Sequence, residues 1–244
     1  MYVSIDLNCD LGEGAGFDAA LMPLITSANI ACGAHAGDEA TMRATVALAQ
    51  AHGVGVGAHP GFADRANFGR LEHALSACAL HDLVTGQIET LRELGPVRHV
   101  KPHGALYNLA ARDRVVAEVF AEAVYACDPS LILFGLAGSE LVRAGQARGL
   151  RVANEVFADR TYQPDGSLTP RSRSDSLITN EAAAVAQMMR MVREGVVRAT
   201  DGRSVAVLAD TVCLHGDGLH AVAFARRLGV ELRAAGIALR KWSA

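Results

Sequence analysis

Short aliphatic and β-branched runs alternate with longer stretches of helical periodicity almost from end to end of the chain. The runs Val3–Asn8, Ser27–Cys32, Val54–His59, Val97–Lys101, Leu131–Leu136, Arg151–Phe157 and Thr211–His215 predict seven strands. Between them the apolar positions recur at helical spacing. Asp38 can cap a helix reaching about Ala51, with Met42, Val46 and Ala49 on one face. Ser76 can cap another, with Leu80, Leu83, Val84, Ile88 and Leu91 turned inward and Gly95-Pro96 as its stop. Further helices are expected over Arg112–Ala126, Ser139–Arg148, Asn180–Glu194 and Leu219–Ala235.

Strands alternating with helices imply a parallel sheet with helical crossovers. No dinucleotide glycine fingerprint follows the first strand. The pattern therefore favours a closed, TIM-like (β/α) barrel of seven or eight strands over an open sheet, and residues 1–244 read as a single α/β domain. One segment breaks the rhythm. Asp159 to Asp175, "DRTYQPDGSLTPRSRSD", is polar, carries two prolines and follows a strand. A loop of that length in a compact domain is usually functional or disordered, and a lid over the barrel is the preferred reading.

Composition narrows the partners. Half the residues are hydrophobic but only 5% are aromatic, so the core must be built from Ala, Val, Leu and Ile. A net charge of −3 gives no reason to expect nucleic acid or an anionic membrane. Five dispersed cysteines without a C-x-x-C pair suit a reducing cytoplasm. No basic, apolar leader precedes Asp6. The longest uncharged segment, Ala19 to Gly37, contains Pro23, Asn29 and His35 and reads as strand plus turn.

The polar residues collect where the strands end. In the first strand Asp6, Asn8 and Asp10 alternate with Leu7, Cys9 and Leu11, so they share one face, and Glu13 follows among glycines. The second strand brings Asn29, His35 and Asp38, and the third His59 and Asp64. The fourth brings Lys101, His103 and Tyr107, the sixth Glu155, Asp159 and Arg160, and the last His215 and Asp217. Barrel sites form at these strand ends. His35, His59, His103 and His215 each lie near a strand end and beside glycine or proline, whereas His52, His73, His81, His99 and His220 read as structural or surface residues. Lys101 is one of only two lysines, in a chain whose other basic residues are arginines. In mid-run it suits a point charge for an oxyanion or phosphate. No P-loop and no G-x-S-x-G elbow is present, and Cys9 and Cys32 read as small core residues. Histidines among carboxylates are compatible with a divalent ion, but no local spacing selects one.

The blocks "IDLNCDLGEG", "ITSANIACGAHAGD", "VGAHPGF", "VKPHGALYN", "EVFADRTYQPDGSLTPR" and "VCLHGD" together resemble the LamB/YcsF family over essentially the whole chain. Ala34 stands where the family pattern has phenylalanine, and Gly218-Leu219 where it has Asn-Pro. The resemblance implies a distorted β/α barrel acting as the A subunit of an ATP-dependent 5-oxoprolinase, with ATP as co-substrate and subunits B and C as partners. The expected reaction opens the lactam of 5-oxoproline to glutamate by hydrolysing an activated ring. On that reading the catalytic candidates are Asp6 or Glu13 with His59 or His103, and Lys101 for negative charge. Substrate binding falls to Asn8, Asp10, Asn29, His35, Glu155, Asp159, Arg160, His215 and Asp217, with Arg160 as a bidentate clamp on the substrate carboxylate. Two other readings stay open: a metal-dependent amidase or deacetylase acting alone, and a non-catalytic ligand-binding subunit.

Overall fold

The fold is that of a computed structural model, which describes residues 4–215 and 221–243. Its elements follow in the order β1 (Ser4–Leu11), α1 (Asp18–Leu21), β2 (Ser27–Ala31), α2 (Glu39–Ala51), β3 (Gly55–His59), α3 (Ala77–Arg92), β4 (His99–Val100), α4 (Gly104–Arg112), α5 (Arg114–Cys127), β5 (Ile132–Leu136), α6 (Glu140–Arg148), β6 (Arg151–Phe157), α7 (Glu181–Glu194), β7 (Val196–Arg198), β8 (Ser204–Ala206), β9 (Thr211–His215), α8 (Ala221–Ala234) and β10 (Ala238–Leu239). All seven expected strands are present. β1 runs three residues further than its apolar pattern indicates, because the polar Asp10 still pairs with Asn29 on one side and His215 on the other.

The seven parallel strands β1, β2, β3, β4, β5, β6 and β9 close into a ring through the β9–β1 pairing. β10 adds an eighth strand beside Ser4 and Ile5, below the point at which β9 takes over the same edge of β1. The expected barrel is observed. The short antiparallel β7–β8 ribbon lies apart from it. It escapes the strand pattern because its two arms are three residues each. Asp38 and Ser76 cap α2 and α3 as their spacing predicts, accepting from the Thr41 and Ala79 amides. The helix expected over Arg112–Ala126 is α5, which begins at Arg114 because Asp113 leaves helical geometry and caps it by accepting from the Val115 and Val116 amides. α4 before it is an additional helix outside the expected set. Among the described residues no helix is long and apolar enough to cross a membrane.

The hydrophobic core lies mainly outside the ring, where Leu7, Cys9, Leu11, Ile30 and Val100 meet the helices. Inside, Ile132, Phe134 and Ala153 form a small separate cluster closed off by Trp242. The rest of the interior is polar, unlike the branched apolar layers usual in such barrels. Asp6, Asn8, Asp10, Ser27, Asn29, His99, Glu155 and Thr211 meet there and hydrogen-bond to one another. The Asn8 side-chain amide donates to Glu155 and Thr211, the Asn29 side-chain amide donates to Asn8 and Asp10, and His99 Nε2 donates to Asn29 Oδ1 at 2.8 Å. His99 is therefore structural, as its position outside the strand-end group implies.

The ring of His99 occupies the space a side chain at position 57 would need. A Cβ on Gly57 would stand 2.0 Å from His99 Nε2. Gly57→Ala is accordingly expected to lower stability by ~2 kcal/mol or more, read as a drop in the thermal midpoint.

His99 also sets an acid limit. Burial, and after it the charges of Lys101 and Arg98, holds its pKa down at about 3 against the ordinary 6.5. The folded state keeps the ring neutral while the unfolded chain takes up a proton. Stability is thus complete above 6.5 and is lost as pH falls from there towards 3, at ~1.4 kcal/mol per pH unit for this one group. Thermal unfolding between neutral pH and about pH 5 should show that loss, with a shallower slope in His99→Gln.

Candidate active site

A cavity of about 440 Å³ opens at the C-terminal ends of the barrel strands. Its floor is Lys101, immediately after β4. The side chain is only 2% exposed, so a snorkelling surface lysine is excluded. Nζ lies 2.9 Å from Asp10 Oδ1 and 2.8 Å from Glu155 Oε1, with Asn8 Oδ1 at 3.3 Å and Cys213 Sγ at 3.1 Å. Burial opposes the ammonium, but Asp10, Cys213 and Glu155 raise its pKa well above the ordinary range. Lys101 is a permanent charge whose three protons are already directed.

One wall is made of histidines and carboxylates. Asp10 is drawn well below the usual carboxylate range, because His59 and Lys101 outweigh the cost of its burial. Burial likewise works against Glu13, yet contacts with His103 and His35 bring its pKa down to about 2. Glu13 Oε1 stands 3.3 Å from His103 Nδ1, 3.4 Å from His35 Nε2 and 3.9 Å from His59 Nε2. The His35 and His103 rings stack at 3.7 Å with only 4° between their planes. Burial lowers the His35 pKa to about 4, so the ring is neutral and Nε2–H is free to brace Glu13.

The tautomers of His59 and His103 follow from their outer contacts. A carbonyl oxygen can only accept, so His59 Nδ1, 2.8 Å from the Lys101 carbonyl, carries a proton. By the same rule His103 Nε2 donates to the Phe68 carbonyl at 2.9 Å. The two inner nitrogens, His59 Nε2 and His103 Nδ1, then face each other at 3.0 Å. Two bare lone pairs cannot rest at that distance, so a proton or another cation has to lie between them. Consistently, the His59 pKa is raised: burial depresses it, and the neighbouring Asp10 carboxylate more than compensates.

Phe68 is the residue sequence reasoning missed here. Its φ of +56° makes it the one described non-glycine residue in the left-handed region, a conformation costing ~1 kcal/mol or more. That turn aims its carbonyl at His103, and its ring packs edge-on to His35 and His103. Gly69 after it is required too: a Cβ there would meet the His35 Cβ at 2.8 Å.

The opposite wall comes from the long polar segment after β6, which is ordered and folds over the mouth. Leu168, Pro170, Arg171 and Ser172 line the cavity from it. Tyr162, fully buried, anchors the segment by accepting from the Phe157 amide at 2.8 Å. Arg171 Nη2 donates to His215 Nε2 at 2.9 Å, and His215 Nδ1 donates to Asp159 Oδ2 at 2.9 Å. Arg171, like Arg70 and Phe68, has no pattern in the sequence that marks it, since only the folded loop brings it to the mouth.

The structure thus sorts the expected site residues. Asp10, Glu13, His59, Lys101, His103, Arg160 and His215 line the cavity. Asp6 does not. It lies deep in the barrel, accepting from Thr26, Ser27 and Thr211, where burial raises its pKa. A carboxylate enclosed by hydroxyl donors cannot reach a ligand, so the catalytic role expected of Asp6 is corrected to a structural one. Asn8, Asn29 and Glu155 also lie below the cavity, where they hold Lys101 and Asp10, and not in it as substrate contacts. His35 stands behind His103. The bidentate clamp expected of Arg160 is corrected as well. Its Nε and Nη2 donate to the Ser176 and Thr169 carbonyls, at 3.2 and 2.6 Å, and fasten the covering segment. Asp159 orients His215, and Asp217 lies outside the described residues. Buried Cys32, its thiol pushed up to about 12, is no nucleophile.

A barrel with this histidine–carboxylate site at its mouth matches the LamB/YcsF family model over residues 5–244. The chain belongs to the LamB/YcsF family. It is 56% identical to the 5-oxoprolinase A subunit of Bacillus subtilis (strain 168), over 96% of this chain and 95% of that one. It is 55% identical to the 5-oxoprolinase A subunit of Geobacillus thermodenitrificans (strain NG80-2), over 97% and 96%. Its fold superposes on a lactam utilization protein from Thermus thermophilus with a TM-score of 0.91 and 45% identity, covering 98% of this chain and 99% of that one.

The floor gives a direct test of the electrostatic account. Lys101→Met removes the buried cation paired with both Asp10 and Glu155 and should cost ~3–5 kcal/mol in unfolding free energy. Adding Glu155→Gln should recover part of that loss, which a double-mutant cycle by denaturant unfolding measures.

Proposed function

We propose that this chain is the A subunit of a 5-oxoprolinase, a hydrolase that opens the lactam of 5-oxo-L-proline to L-glutamate with the reaction coupled to ATP hydrolysis. The observation that carries this reading is the near-full-length identity to relatives bearing that name. The chemistry of the cavity agrees with it.

A five-membered lactam is a resonance-stabilised amide and yields slowly to water, so coupling to ATP makes its opening favourable. With no P-loop in this chain, phosphorylation of the lactam carbonyl oxygen is assigned to partner subunits B and C, and hydrolysis of the activated ring to this barrel. Water attacks the ring carbon and must lose a proton, and the ring nitrogen must gain one as its C–N bond breaks; the acyl phosphate this leaves is hydrolysed by a second water to glutamate and inorganic phosphate. The wall of Glu13, His59 and His103 is suited to both transfers, since it sets two imidazole nitrogens 3.0 Å apart beside a carboxylate. The phosphoryl group is anionic throughout, and negative charge builds on oxygen when the acyl phosphate carbon becomes tetrahedral. Lys101, with its N–H groups directed to Asp10 and Glu155, acts there as a fixed charge and not as a direct donor. The substrate carboxylate falls to the arginine side of the mouth, where Arg70 and Arg171 line the cavity. Asp10 and His215 complete the substrate-facing surface, and the cytoplasm is the compartment in which this ATP-linked step belongs.

The test is ATP-dependent glutamate release from 5-oxoproline by this chain with and without B and C subunits from a relative. Release is expected only from the complete set. Glu13→Gln and His103→Asn should each lower turnover by ~100-fold or more, whereas Asp6→Asn should act mainly on the thermal midpoint. No release from the complete set, with B and C active beside their own native partner, would overturn the reading.

A further inference from the structure

On the histidine wall the facing acceptor atoms outnumber the protons available to them. His59 Nε2, His103 Nδ1 and Glu13 Oε1 converge on the histidine wall of the cavity with separations of 3.0, 3.3 and 3.9 Å. With the imidazole protons committed to the Lys101 and Phe68 carbonyls, all three inner atoms are acceptors. A single proton serves at most two of these contacts, as when it sits on His103 Nδ1 and is shared between His59 Nε2 and Glu13 Oε1. A small cation relieves all three.

We propose that Glu13, His59 and His103 form a binding site for one divalent metal ion of the zinc class. Ligand atoms around such an ion, bonded at 2.0–2.1 Å in tetrahedral array, lie ~3.4 Å from one another. The observed separations bracket that value. Two imidazoles and a carboxylate are the donor set that borderline divalent ions prefer. Each proposed ligand is also fixed from behind, as metal ligands characteristically are. The Lys101 carbonyl holds His59, the strained Phe68 carbonyl holds His103, and His35 Nε2 holds Glu13. The fourth direction is bounded by Asp10, whose Oδ2 is 3.4 Å from His59 Nε2, and by the open cavity. This is a three-ligand site with room for water or substrate.

The inference concerns the same cavity as the proposed reaction but rests on donor geometry alone, so it stands or falls independently of lactam opening. Its test uses the isolated full chain after dialysis against a chelator, without ATP or partner subunits. Titration with Zn²⁺ by calorimetry should reveal one ion per chain, and Co²⁺ should give the intense visible absorption of a low-coordinate site. Glu13→Gln and His103→Asn should each weaken Zn²⁺ binding by ~100-fold or more, beyond the loss typical of outer contacts. His73→Ala, a surface histidine beside Asp64, should leave binding unchanged. A measurement on the unaltered protein avoids any folding defect of the variants. Imidazole ¹⁵N spectra should shift at His59 Nε2 and His103 Nδ1 on adding Zn²⁺, with the outer N–H protons retained. A folded protein that binds neither ion, binding undiminished in both ligand variants, or spectra unmoved at these nitrogens would overturn the proposal.

Discussion

Everything at the centre of this barrel follows from placing the ammonium of Lys101 out of reach of water. A lone cation there would cost far more than the fold could spare, so the interior has to supply opposite charge and hydrogen-bond acceptors. Asp10 and Glu155 supply the charge, and Asn8 a further acceptor. Those groups need partners in turn. Asn29 holds Asp10 and Asn8, His99 holds Asn29, and Thr211 links Asn8 to Asp6. The polar network running from floor to mouth is therefore a chain of obligations set by one buried charge. The apolar face of the same strands turns outward to the helices, which is where the core is found.

That network positions the reactive wall. Lys101 contributes twice: its side chain fixes Asp10, and its backbone carbonyl fixes the tautomer of His59. Phe68 does the equivalent for His103 through a left-handed turn, a local strain that aims one carbonyl. The outcome is a pair of imidazoles whose inner nitrogens cannot both be bare, beside a carboxylate held ionised. Such an arrangement is unfavourable without a proton or a cation to bind.

The family also shares its architecture with distant proteins. A peptidoglycan deacetylase from Bacillus subtilis superposes at a TM-score of 0.51 with 13% identity, a likeness of fold alone. A barrel mouth is a general platform, and the chemistry depends on which side chains the strand ends deliver.

The strands, the caps at Asp38 and Ser76 and the shared face of Asp6, Asn8 and Asp10 were legible in the chain because they depend on local periodicity. So was the concentration of histidines at strand ends, since a β/α repeat places strand termini together whatever the details. Depth was not legible. Asp6 and Asp10 have the same alternation, yet one is sealed by hydroxyls and the other faces the cavity, because height within a barrel is set by how neighbouring strands are staggered. Arg160 and Arg171 lie eleven residues apart in one polar loop. Only the path of that loop decides that the first ties down the loop's own carbonyls and the second reaches His215. The sequence by itself determined a barrel with a polar mouth, through patterns that neighbours in the chain express. The tertiary structure alone decided which polar groups meet, because hydrogen bonds between residues some two hundred positions apart leave no periodic trace.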